Sequence, residues 1–174
     1  MAVKDPENGS ARPRGLVVGP GQGDTIRSPL AGEVTFMARG EQTNGALTVL
    51  DVVVPPGQGP PLHLHAREDE TIWVLEGDLR FKLDGVVRST PPGSFVFIPH
   101  GVAHCFQNVG EKPARLVATI TPAGLERFFE RLAELTAFDP DAFRQAAAEE
   151  GTVVAGPPLV ESDPLPDKDR PTNR

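Results

Sequence analysis

GQGPPLHLHAREDETIWVLEG (residues 57–77) and GSFVFIPHGVAHCFQN (residues 93–108) are the two stretches that decide how this chain is read. In the first, a Leu62-His63-Leu64-His65 run carries the alternation of a β-strand, which places His63 and His65 on one face. Glu70 opens the next strand signal. In the second, a strand from Ser94 to Pro99 runs into Pro99-His100-Gly101, a sharp turn, and His104 opens another strand. The only histidines are His63, His65, His100 and His104. A lone strand histidine is ordinarily a satisfied or solvated residue. Three imidazoles and a carboxylate converging in a barrel, by contrast, suit a first-row divalent ion: imidazole suits iron, nickel, copper and zinc, and the carboxylate adds hard oxygen character.

Outward from these stretches the strand signals continue. They are Val34–Ala38, Ala46–Val54, Leu62–His65, Glu70–Leu75, Leu79–Leu83, Val86–Ser89, Ser94–Pro99, His104–Asn108 and Ala114–Thr121. Turn chemistry separates them, as at Pro55-Pro56-Gly57, Glu76-Gly77-Asp78 and Pro91-Pro92-Gly93. Asp84-Gly85 between FKL and VVR predicts a two-residue hairpin of type I′. Many short strands with Gly/Pro turns predict an all-β sandwich or barrel.

After Thr121 the pattern changes. Leu125, Phe128, Phe129, Leu132 and Leu135 form one apolar helical stripe over 122–136, with Thr121-Pro122 as N-cap and first position. A second helix is expected from Asp139-Pro140 to Glu150, ended by Gly151. Both helices are expected to cover the outside of the barrel or a dimer edge. Residues 1–28 and 152–174 are rich in Pro, Gly and polar residues and are read as a flexible arm and a flexible tail.

The 174 residues suit one domain, and the net charge of -7 disfavours a nucleic-acid partner. No signal-peptide h-region or membrane-length apolar run is present, and the single cysteine, Cys105, allows no intrachain disulfide; a cytoplasmic setting is expected. Alternation points Cys105 away from the histidines as a small buried hydrophobe. It points Trp73 to the face opposite Glu70 and Ile72, where it is expected to pack under the helices. Phe106, in phase with His104, and Ile72 are the candidates for the wall of a substrate pocket.

The two opening stretches resemble the cupin motifs, G-x5-H-x-H-x4-E-x6-G and G-x5-P-x-G-x2-H-x3-N, at every fixed position. The resemblance extends over roughly residues 30–122. It implies a double-stranded β-helix, an antiparallel jelly-roll barrel over 29–122, with the helices of 123–151 appended. It implies that His63, His65, Glu70 and His104 are ligands of one divalent metal ion (Fe, Ni, Mn, Co, Cu or Zn), that Gly57, Gly77, Gly93, Pro99 and Gly101 are turn residues, and that Asn108 is structural. His100 matches no ligand position and is read as a rim residue. The segment from Pro122 to Glu130 is similar to the tail of quercetinase-like single-domain cupins. That similarity implies a dioxygenase acting on a flavonol or another enolisable aromatic, with Glu70 as catalytic base. A metal-dependent isomerase or cyclase and a non-catalytic small-ligand binder are the alternatives. A homodimer is expected, because the exposed strand edge and the Phe128/Phe129 stripe need cover.

Overall fold

The computed structural model describes residues 15–28, 32–134 and 140–166. In chain order the elements are β1 (Asp24–Ser28), β2 (Gly32–Ala38), β3 (Thr48–Val54), β4 (Pro61–His65), β5 (Asp69–Glu76), β6 (Leu79–Leu83), β7 (Val86–Thr90), β8 (Phe95–Ile98), β9 (His104–Asn108) and β10 (Ala114–Thr121). Then come α1 (Glu126–Glu134), α2 (Pro140–Glu149), β11 (Thr152–Pro158) and α3 (Leu159–Ser162). The strands form two antiparallel sheets, ordered β1-β2-β3-β10-β5-β8 and β11-β4-β9-β6-β7. This is the all-β barrel that the strand spacing predicts, in the antiparallel jelly-roll form that the cupin resemblance implies.

Alternation builds the interior. Along β3, Thr48, Leu50, Val52 and Val54 are buried and the residues between them only half so. Val34, Phe36, Ile72, Val74, Leu116 and Ala118 join them from neighbouring strands, and Leu79 and Phe81 come from the opposite sheet. In the β6–β7 hairpin Leu83 pairs with Val86, and Asp84 and Gly85 both take positive φ, 50° and 77°, as a type I′ turn requires. Asn108 closes β9: its side-chain amide donates to the carbonyls of Val54 and Lys112 (2.9 and 2.8 Å) and accepts from the Gly110 N–H (2.9 Å).

The structure differs from the sequence reading at the margins. The expected arm contains β1, which pairs with β2 and sends Ile26 against the core; residues 1–14 lie outside the described residues. The expected tail is ordered structure from Thr152 to Ser162. There β11 pairs with β4, Leu159 is buried, and Asp163 bonds Lys82 at 2.6 Å. Residues 167–174 lie outside the described residues. Helix α1 starts at Glu126 rather than Pro122, because Thr121 ends β10 with its hydroxyl on the Ala46 carbonyl (3.0 Å) and the Ala123 N–H reaches the Gly45 carbonyl (3.1 Å). Leu135 and Asp139 lie outside the described residues.

Trp73 points to the predicted side of β5 but does not lie under the helices. It is 50% exposed and packs on Phe95, with ring centroids 4.8 Å apart. The helices pack instead near β1 and β11, and their stripe of Phe128, Leu132 and Phe143 turns inward. Among the described residues no helix is long and apolar enough to cross a membrane.

Candidate metal centre

The two sheets contribute different chemistry to one point in the interior. His63 and His65 lie on β4 and His104 on β9, and the antiparallel register sets His63 opposite His104. Glu70 belongs to the other sheet, on β5 between Ile120 of β10 and Ile98 of β8, and its side chain faces inward in phase with Ile72 and Val74. A carboxylate from one wall therefore meets three imidazoles from the other.

The geometry is tight. One nitrogen from each of His63, His65 and His104 falls within 4.8 Å of the others. The Oε2 atom of Glu70 is 3.1 Å from His104 Nε2 and 3.5 Å from His65 Nε2. Each imidazole is held by its other nitrogen: His63 Nδ1 lies 2.8 Å from the Pro61 carbonyl, His104 Nδ1 3.0 Å from the Val102 carbonyl, and His65 Nδ1 3.1 Å from the Thr152 hydroxyl. A carbonyl can only accept, so the first two bonds place the proton on Nδ1 and leave Nε2 for coordination. Three outward-held rings with converging Nε2 atoms and an anionic oxygen form a donor set that fits a divalent transition metal. His63, His65 and His104 are thus placed to hold a metal ion within the cupin-like barrel.

The charges are arranged in the same sense. Burial pushes the His63 imidazole down to about 3, and the charges of His104 and His65 add to the effect. Burial alone would raise the Glu70 carboxyl, but the imidazoles of His104 and His65 beside it outweigh that effect and hold the group well below the usual carboxylate range. Burial would lower His104, and the adjacent Glu70 carboxylate reverses the sign. The site therefore presents an ionised Glu70 and a neutral His63.

A mainly apolar cavity opens onto this cluster. Leu50, Val52, Leu116 and Ile120 line it from the six-stranded sheet, and Phe106 from β9. Its roof is helical: Leu125, Phe128, Phe129 and Leu132 come from α1 and the residue before it, and Phe143 from α2. Phe106 thus sits at the wall near the histidines. Ile72 is 1% exposed within the barrel core and does not line the cavity. The helices expected to cover the outside close the cavity instead, because their aromatic stripe finds apolar partners there.

His100 stays outside the cluster. Its side chain is 62% exposed, and Asp69 Oδ1 accepts bonds from its backbone N–H and ring Nδ1, both 2.8 Å. Those bonds hold the Asp69 carboxyl below its ordinary value. Cys105 is buried on the other face of β9, where burial pushes its thiol up to about 11.

Thr152 and Glu68 are among the buried polar residues that the sequence reading did not single out. Thr152 would be found only by reading the Thr-Val-Val run after Gly151 as a strand. Glu68 is 2% exposed and pairs with Arg67 at 3.2 Å, and its Oε2 finds no hydrogen-bond partner among the described residues. It borders Gly124, where an added Cβ would lie 3.1 Å from its Oε1. No sequence signal marks it, since acidic residues in a turn are ordinarily solvated.

Comparison with known proteins agrees with this architecture. Residues 50–120 match the family model described as a cupin domain. The protein named polyketide synthase CurC of Streptomyces cyaneus is 33% identical over 70 residues, 40% of this chain and 46% of that protein. Quercetin 2,3-dioxygenase of Bacillus subtilis is 27% identical over 116 residues, 66% of this chain and 33% of that enzyme. The chain spans about half the length of the first of these relatives, and a third of the second. A crystal structure from Thermotoga maritima, described as a predicted oxalate decarboxylase, superposes with a TM-score of 0.56 at 26% identity, covering 62% of this chain and 99% of that one.

Proposed function

We propose that this chain belongs to the cupin superfamily, holds one divalent transition metal ion on His63, His65, Glu70 and His104 and acts on a small organic molecule, as a quercetinase-like dioxygenase. The observation that carries the reading is the meeting of three Nε2 atoms and a carboxylate at the inner end of an apolar cavity. The donor set accepts iron, nickel, manganese, cobalt, copper or zinc. Once bound, the metal would supply Lewis acidity toward the oxygen of an enolisable substrate.

The protein's own groups do the rest. The aliphatic walls and the Phe128, Phe129 and Phe143 roof take up a flat apolar body and exclude water from its polar end. Phe106 forms the wall beside the histidines. Glu70 is held ionised within hydrogen-bond reach of the cluster, so it can take the proton of a substrate hydroxyl as general base. Similarity to the quercetin dioxygenase of Bacillus subtilis supports this choice of reaction.

A second reading, a metal-dependent isomerase or cyclase that needs no oxygen, draws support from the relatives named for polyketide synthesis in two Streptomyces species. Oxygen uptake separates the two. The metal-loaded protein, given a panel of flavonols and catechols, is expected to consume oxygen in step with substrate loss. Conversion at equal rate under nitrogen would favour the cyclase, and ligand-induced stabilisation without product would favour a binder. A second copy of the chain is the proposed partner, meeting at the β8 edge, where Trp73, Phe95 and Phe97 are each about half exposed. The buried free thiol of Cys105 suits a reducing compartment, and the cytoplasm is the proposed location.

A further inference from the structure

The three imidazoles are not held alike. His63 and His104 are each fixed by a carbonyl two residues back in the chain, Pro61 at the start of β4 and Val102 just before β9, so each hold is local. His65 depends on a side chain 87 residues away, the Thr152 hydroxyl. Thr152 is 1% exposed, lies opposite His65 in the β11–β4 register and lines the cavity. It stands outside the 50–120 span of the family match.

Several contacts keep this hydroxyl in place. The Ala66 N–H donates to the Gly151 carbonyl at 2.9 Å and ties the start of β11 to the end of β4. Val154 packs on the α1–α2 cluster. Beyond β11, Leu159 is buried and Asp163 bonds Lys82. Threonine is stiff about χ1, so a strand anchored at both ends aims its hydroxyl. With Nε2 directed at the cluster, Nδ1 carries the proton and the Thr152 oxygen accepts it.

We propose that Thr152 is a positioning residue for His65, and that β11 thereby completes the metal centre from outside the motif-bearing stretch of the chain. The inference rests on the metal-site reading above. An outer partner of this kind fixes the tautomer and ring angle of a ligand, and its loss costs about 10–100-fold in metal affinity. Thr152→Val keeps the shape and the branched carbon but removes the acceptor. Thr152→Ser restores an acceptor with a freer rotor.

The test uses the full chain with cobalt(II) as probe: affinity by chelator competition, and the visible absorption of the bound ion. Thr152→Val is expected to bind about 10–100-fold more weakly with an altered spectrum, and Thr152→Ser to recover most of both. Thermal melts of the metal-free proteins show whether each variant is folded. If Thr152→Val binds as the parent does, with an unchanged spectrum, the inference is overturned. It is equally overturned if Thr152→Ser is as weak as Thr152→Val, since the hydroxyl would then not be the cause. His104→Ala separates the two levels of the argument. If it loses cobalt while Thr152→Val keeps it, only the role of Thr152 falls; if it keeps cobalt, the metal site itself is misassigned.

Discussion

Replacing Asn108 tests how β9, which begins at the candidate ligand His104, is held to the opposite sheet. The Asn108 side chain is 0% exposed and makes three hydrogen bonds, to the carbonyls of Val54 and Lys112 and from the Gly110 N–H. Asn108→Ala strands those three groups. Each lost bond costs about 1 kcal/mol net, and a buried group left unsatisfied costs about 1–3 kcal/mol. Water entering the vacated volume offsets part of this, so a loss of about 2–3 kcal/mol is expected, or about 5–10 °C in Tm for a chain of this size. Asn108→Asp keeps the acceptor for Gly110 but sets a charge against two carbonyl oxygens, and it should cost more than alanine. That carboxyl is destabilised in the ionised form, so its folded-state pKa lies above its unfolded value. The folded state then binds more protons, and the deficit of Asn108→Asp relative to the parent shrinks as pH falls. Urea unfolding of the metal-free proteins at pH 7 and pH 5 measures both effects, with an unchanged m-value as the check on two-state behaviour. An Asn108→Ala protein within about 0.5 kcal/mol of the parent would refute the reasoning, as would Asn108→Asp proving the more stable of the two at pH 7.

Other outcomes follow from the same contacts. His63→Ala, His65→Ala and His104→Ala should each lose metal on dialysis while His100→Ala, the same deletion at an exposed position, keeps it; metal content by elemental analysis decides, and equal loss at 100 and 104 would mean the third histidine is misassigned. Glu126 accepts from the Thr48 hydroxyl and the Gly40 N–H, both 2.6 Å, and although burial alone would raise its carboxyl these bonds hold it below the ordinary value. Its stabilising effect is therefore present above the unfolded pKa of about 4.3 and fades as pH falls through the lower folded value; Glu126→Gln should lower the thermal midpoint at pH 7 and flatten its acid-side decline, and an unchanged decline would count against the assignment.

The central strands were legible because each carries its own period and its own punctuation. The stretch from Val34 to Thr121 alternates, and glycine or proline breaks it where the chain turns. The first and last strands, β1 and β11, were not. Asp24–Ser28 is polar, and Thr152–Pro158 carries a glycine and two prolines, so each reads as coil until its partner strand is known. What secures them is remote: Arg39 bridges Asp24 and Glu130, and Arg80 and Lys82 reach Asp163. Trp73 shows the same limit within one residue. Alternation set its direction, but which outer face the helices cover depends on where the chain after Thr121 is carried. At the site, the spacing of His63, His65 and Glu70 marked the residues that meet His104 in the interior. The contact between Glu70 and His104 crosses two sheets, and that between Thr152 and His65 joins strands far apart in sequence, so no local pattern could show either.

The cavity is built from two parts of the chain with different consequences. Its floor, from His63 to His104, lies within the 50–120 span that matches the cupin domain. Its roof, Leu125 to Phe143, lies wholly beyond that span. Likeness confined to the floor carries the donor set from one protein to another but says nothing of the space above it. Two chains with the same histidines can therefore hold different molecules. In this chain three phenylalanines of the roof pack edge to face, Phe128 with Phe129 at 5.3 Å and with Phe143 at 5.5 Å, so the roof presents a continuous aromatic surface. Under the proposed function, changes in that surface would alter which molecule is held over the histidines, and changes in the floor would alter what can be done to it.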